Sequence, residues 1–222
     1  MKSLLISILI VFISVNGFSQ QTKFHRNLDS LFFVSKIDSL KLRHIDFKIV
    51  PTDLELQVLT TLTYFPELDS VQIKFKSARI KTTLNCRPTV LSALFCSSKN
   101  RKYIVRVNSK IADSVINFQN IPFNAQIGLI GHEFCHILDY QSKSRWNLLK
   151  TMFYYFHITY KSTYEKSVDL MTIQKGLGWQ LYDWMYFVEN GSHVFSNYLN
   201  YKRKVYLNSQ VIKELIYADG RY

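Results

Sequence analysis

One pentapeptide, His132-Glu133-Phe134-Cys135-His136, restricts what this chain can fold into more than any other stretch. It has the form H-E-x-x-H and lies in a segment that reads as helix, with Pro122 near the start, where its missing N–H costs little. On a helix, positions i and i+4 are about 40° apart around the axis, so both imidazoles can reach one metal ion. Glu133 is rotated from His132 by about 100°, which sets its carboxylate beside such an ion and not on it. Two neutral nitrogens, a neighbouring base and an open coordination position are what hydrolysis by a metal-activated water needs. The helix also carries a wide apolar face. Ile127, Ile130, Phe134, Ile137 and Leu138 cluster roughly 190° from His132, which predicts a core-facing side and a separate ligand side. Gly128 and Gly131, three apart, permit close approach of a neighbouring element.

A zinc hydrolase site needs a third protein ligand. Downstream the candidates are His157, His193, Glu165, Glu189, Glu214 and a few aspartates. Glu165 is set apart by Asp169 at i+4, which puts two carboxylates on one helical face. One of the two can ligate a metal. The other can accept the distal N–H of a ligating histidine, fixing its tautomer and raising its basicity. Like charges at this spacing repel slightly, and a metal or a histidine partner would relieve them. His157 falls in an aromatic run and reads as a core or pocket histidine. His193, Tyr201 and Tyr206 are candidates for donating to an oxyanion.

H-E-x-x-H followed by E-x-x-x-D resembles the pattern of the gluzincin metallopeptidases, most closely the small minigluzincins. The resemblance covers residues 50–180 or so and includes the apolar helix Asp53–Tyr64 and the strand Tyr103–Asn108. It implies an α+β, zincin-like domain with a small mixed β-sheet packed on the active-site helix and a helical C-terminal half. It implies Zn2+ bound by His132, His136 and Glu165, with Glu133 as general base and Asp169 buttressing His132. In zincins an edge strand runs above the metal cleft, and Tyr103–Asn108 lies where that edge is placed. A peptide or protein substrate would then add to it by backbone hydrogen bonds. An ordinary sheet strand is the other reading of Tyr103–Asn108. The chain departs from the pattern at Val168, where a small residue often precedes the aspartate. The downstream transition-state donor of larger gluzincins has no identifiable counterpart.

Residues 1–19 read as a secretory signal peptide, with Lys2 at its charged start, an apolar stretch Leu4–Val15 and a small-x-small cleavage site ending at Ser19. The apolar stretch is too short to favour a membrane span. The expected location is therefore secreted or periplasmic. Residues 20–222 suffice for a single domain with a full core, and no linker or repeat marks a second. The net charge of +12 favours acidic partners such as phospholipid surfaces or anionic polymers. The basic residues are spread along the chain and accompany no nucleic-acid motif. Cys135 reads as a small buried apolar residue. Cys86 and Cys96 flank a short connection and could be bridged in an oxidising compartment.

Around the active helix, Lys23–Leu42 suggests a helical or partly ordered lead-in, and residues 20–45 could mask the cleft. Phe47–Val50 is a short extended piece stopped by Pro51. Thr52 or Asp53 can cap a helix whose Leu54, Val58, Leu59, Leu62 and Phe65 follow the 3.6 period. Val71, Ile73 and Phe75 share one face of a strand, which residues 79–87 extend or pair with. Leu148–Tyr160 is apolar and aromatic on both faces. A buried core helix is its plain reading, and a substrate pocket or a dip into a membrane surface are the others. Gly176-Leu177-Gly178 should break the Glu165 helix. Trp179–Val188 and Ser196–Tyr206 read as further helices, and Ser209 as the cap of a last one.

The expected protein is thus a secreted zinc metallopeptidase. Two rivals have the same residues: a catalytically inactive zinc-binding interaction module, and an amide hydrolase of cell-wall substrates. A structural site with four protein ligands has no use for a free carboxylate at Glu133.

Overall fold

The apolar face of the pentapeptide helix is met from all sides. In the computed structural model, which describes residues 24–109, 116–191 and 196–222, this helix is α5 (Phe123–Ser142). Every residue from Ala125 to Ile137 is buried, the ligand side included. The chain before it forms α1 (Ser30–Ser35), α2 (Ile37–His44), β1 (Lys48–Ile49), α3 (Glu55–Leu62), β2 (Ile73–Ala78), β3 (Leu84–Pro88), α4 (Val90–Phe95) and β4 (Tyr103–Asn108). After it come α6 (Arg145–Tyr154), α7 (Ile158–Thr172), α8 (Gly178–Tyr186), α9 (Ser196–Val205) and α10 (Ser209–Ala218). The fold is mixed α+β and mostly helical, with one small four-stranded mixed sheet. The proposed signal peptide, residues 1–19, lies outside the described residues, as does His193. No described helix is long and apolar enough to cross a membrane.

Alternation along the strands sets the sheet's two faces. Ile73, Phe75, Leu84, Cys86, Tyr103 and Val105 are buried, while Lys74, Lys76 and Arg87 are exposed. Phe75 and Phe65 both bring their rings edge-on to Phe134 of α5, at centroid distances of 6.2 and 5.4 Å, which joins the sheet and the segment after α3 to this helix. The strand order is β1-β2-β4-β3. β4 is parallel to β2, with Ile73 opposite Tyr103, and antiparallel to β3, with Cys86 opposite Val105. This corrects the expectation for Tyr103–Asn108. That strand is hydrogen-bonded on both sides and has no free backbone for an added peptide. The edge strands are β1 and β3, and β3, from the segment expected to extend or pair with β2, pairs with β4 instead. Alternation reports which face of a strand is buried; it carries no information about lateral neighbours.

Gly128 explains how closely the next layer approaches. A Cβ at this position would lie 2.2 Å from the backbone carbonyl of Gln180, so α8 packs directly on the α5 backbone. Gly176, at φ +89°, provides the left-handed residue in the π-helical segment Ile173–Leu177 that separates α7 from α8. The break expected at Gly176–Gly178 is therefore present.

Several local expectations need correction. The lead-in is helical as expected, in two short helices, and Arg26 pins it to Asp183 at 2.6 and 2.8 Å, at the α8 end of the molecule. Among the described residues, none of residues 24–45 lines the cleft beside His136 and Glu165, so this part of the lead-in does not mask it; residues 20–23 lie outside the described residues. Cys86, Cys96 and Cys135 are all free thiols; Cys86 and Cys135 are buried. The last helix is capped by Asn208, whose side chain accepts from Val211 N at 2.8 Å, one residue before the expected Ser209. Leu148–Tyr160 is not a core helix. α6 buries only Leu148 and Thr151, and the chain turns after Tyr154.

Candidate metal centre

α5 places His132 and His136 one turn apart, and α7 does the same for Glu165 and Asp169. The two helices pack with these rows facing each other. His132, His136 and Glu165 are buried, and their ligand atoms all lie within 4.8 Å of one another, a cluster that could hold a metal ion. Glu165 Oε2 lies 3.0 Å from His132 Nε2 and 3.3 Å from His136 Nε2. The E-x-x-x-D spacing alone does not say which carboxylate faces the imidazoles' outer nitrogens, while the resemblance assigns that place to Glu165. The geometry places Glu165 there, and Asp169 behind. His132 Nδ1 donates to Asp169 Oδ1 at 2.8 Å, and Asp169 Oδ2 accepts from the backbone N–H of Leu207 at 2.9 Å. With Nδ1 protonated, the Nε2 lone pair of His132 is directed toward the cluster.

Aromatic residues enclose the cluster. The Tyr155 hydroxyl donates to Glu165 Oε1. Tyr140 stacks on His136 with centroids 5.8 Å apart, and Tyr164 lies 5.5 Å from the same ring. Tyr164 donates to Asp139 Oδ2 at 2.5 Å, and Asp139 also pairs with Lys143. These neighbours keep water away and strengthen the local electrostatics. Without metal, burial works against a charged His132, but its bonds to Asp169 and Glu165 outweigh that and raise its pKa to about 10. Burial opposes ionisation of Glu165 too, yet the two imidazoles hold its carboxyl well below the usual range. Glu133 is pushed up, mainly by burial and against the pull of both histidines. A carboxyl with a raised pKa is a better proton acceptor than an ordinary one.

Glu133, His136 and Glu165 open into a cleft of about 270 Å³. One wall is β3, an edge strand of the sheet, from Leu84 to Pro88. The opposite side carries Thr151, Met152 and Tyr155, and Tyr206 also lines the cleft. Among the described residues, apart from Glu133 and Glu165, the charged groups lining it are cationic: Arg87, Arg106 and Lys161.

The other candidates separate clearly. His157 is exposed at the N-terminus of α7 and is neither a core nor a pocket histidine. Glu189 accepts from Ser209, and Glu214 from Gln210 at 2.9 Å, so neither reaches the centre. Tyr201 sits under the Lys161 ammonium at 5.3 Å and does not line the cleft; Tyr206 does, with its ring 5.6 Å from that of His132. Sequence reasoning missed Tyr140, Tyr155 and Tyr164. Only Tyr140 had a usable signal, since it extends the His132–His136 row by one more turn.

A scan against known protein families, a search of curated proteins and a search of solved structures each found no match to this chain.

Proposed function

We propose that the protein is a secreted zinc-dependent metallopeptidase with a zincin-like domain of the gluzincin type. The observation that carries this reading is the convergence of three buried ligands from two helices at the floor of a cleft, with Glu133 beside them and outside the ligand set. Zinc suits the donors. In a tetrahedral site with bonds of about 2.0–2.1 Å, ligand atoms are about 3.3 Å apart. The Glu165 oxygen lies 3.0 and 3.3 Å from the two imidazole nitrogens. When bound, zinc would polarise both the scissile carbonyl and the attacking water.

The side chains then have distinct tasks. Glu133 accepts the proton of the attacking water and passes it to the leaving amine. Asp169, fixed by Leu207 N–H, holds the tautomer of His132. Tyr206 faces the cleft with its pKa raised well above normal by burial, so the phenol stays protonated and can donate to the developing oxyanion. An extended peptide can pair with the free edge of β3. Arg87, Arg106 and Lys161 favour acidic side chains next to the scissile bond.

Digestion of a peptide library tests the reading. Zinc-loaded protein is expected to cleave acidic peptides preferentially, to lose at least 100-fold in rate after chelation, and to recover on adding zinc back. A fully zinc-loaded protein that cuts no peptide would leave the inactive binding module as the better description.

A further inference from the structure

We propose that the exposed apolar face built by α4 and the α6–α7 corner docks the protein on an anionic phospholipid bilayer. Leu91 and Phe95 on α4 are each 72% exposed. Across from them Trp146 is 73%, Phe153 66% and Phe156 88% exposed. α4 packs against α6, and Arg145 donates to the Phe95 carbonyl at 3.5 Å, so these side chains belong to one surface. Soluble monomers seldom leave so many large apolar side chains together in water unless something covers them.

The charge around this face identifies the cover. No Asp or Glu occurs from Ser70 to Ser109 or from Gln141 to Tyr164, the stretches that supply both helices. Lys99, Lys102, Arg145 and Lys150, from these same stretches, are exposed. A second copy of the chain is a poor occupant, because a two-fold contact would set these cationic stretches, which carry no Asp or Glu, against themselves. Aromatic side chains ringed by Lys and Arg match the acyl–headgroup boundary of a bilayer carrying negative lipids. Docking here is independent of any metal. Thr151 and Met152 of α6 also line the cleft, so a docked protein would present its cleft close to the lipid surface. Substrates held at that surface would be favoured.

Trp146 provides a local probe. The full chain is mixed with vesicles of phosphatidylcholine alone or with phosphatidylglycerol, each containing brominated acyl chains. Strong quenching of Trp146 fluorescence is expected only with phosphatidylglycerol, and W146F should remove it. F95S/F153S/F156S should weaken binding at least tenfold with zinc content unchanged. K99E/K150E should do the same and serves if the triple variant does not fold. Absence of quenching, or unchanged binding in the variants, would overturn the proposal. So would a wild-type dimer that the triple variant converts to monomer with no vesicle affinity in either.

Discussion

Glu133→Gln is expected to lower peptide hydrolysis by about a thousandfold while leaving one metal ion per chain in place. The amide has nearly the size of the carboxylate and cannot take up a proton, so the loss isolates general-base catalysis. Glu133 belongs neither to the three-ligand cluster nor to the hydrogen bonds that link His132 to Glu165 and Asp169. Metal affinity should therefore stay within a fewfold of wild type. The rate loss should appear in kcat with little change in KM, because the group acts on the reacting water and not on substrate binding. Peptidase activity at the wild-type level would remove Glu133 from the mechanism. Loss of metal along with activity would instead make it a ligand.

Glu165→Ala is expected to abolish tight metal binding, with a fall well beyond the roughly 10- to 100-fold typical of losing a supporting group behind a ligand. Asp169→Asn should fall inside that lesser range. Thermal unfolding with and without zinc measures both. At free zinc a thousand times Kd, the wild-type protein gains about 4 kcal/mol, and Glu165→Ala should gain almost nothing. The metal-free protein adds a pH signature. The folded-state pKa of His132, about 10, lies above its ordinary value of 6.5. Its contribution to stability is thus full below pH 6.5 and is lost as pH rises through about 10. Glu165→Ala removes one of the two carboxylates that hold this proton, so the decline in stability over that window should become shallower. Saturating zinc takes the proton's place and should flatten the wild-type curve over the same range. Equal zinc stabilisation of wild type and Glu165→Ala would take Glu165 out of the site.

The centre was legible because its chemistry is local. His132 with His136, and Glu165 with Asp169, are each pairs one helical turn apart, and such a pair needs only its helix to form for the geometry to follow. What joins the two pairs is the packing of α5 on α7. The sequence announced that contact only through the apolar pattern of α5 and through the chemical fit of the two pairs. Sheet order was not legible, because Tyr103–Asn108 alternates in the same way whether β3 covers its far side or solvent does. The aromatic run after α5 misled for a related reason. Large apolar side chains on both faces read as core, yet Phe153 and Phe156 are exposed. Tyr155 was hidden in that run, and its bond to Glu165 depends on where the chain turns between α6 and α7. The cysteine pairing failed on side-chain placement: Cys86 faces the buried interior, while Cys96 ends α4 and is only partly buried.

The most direct test is a crystal structure of zinc-loaded protein with the metal located by anomalous scattering at the zinc edge. One ion is expected, bonded to Nε2 of His132, Nε2 of His136 and a carboxylate oxygen of Glu165 at about 2.0–2.2 Å, with the carboxylate of Glu133 near it but unbonded. A zinc ion found elsewhere, or one held by Glu133 as a fourth protein ligand, would contradict the assignment of this site as hydrolytic.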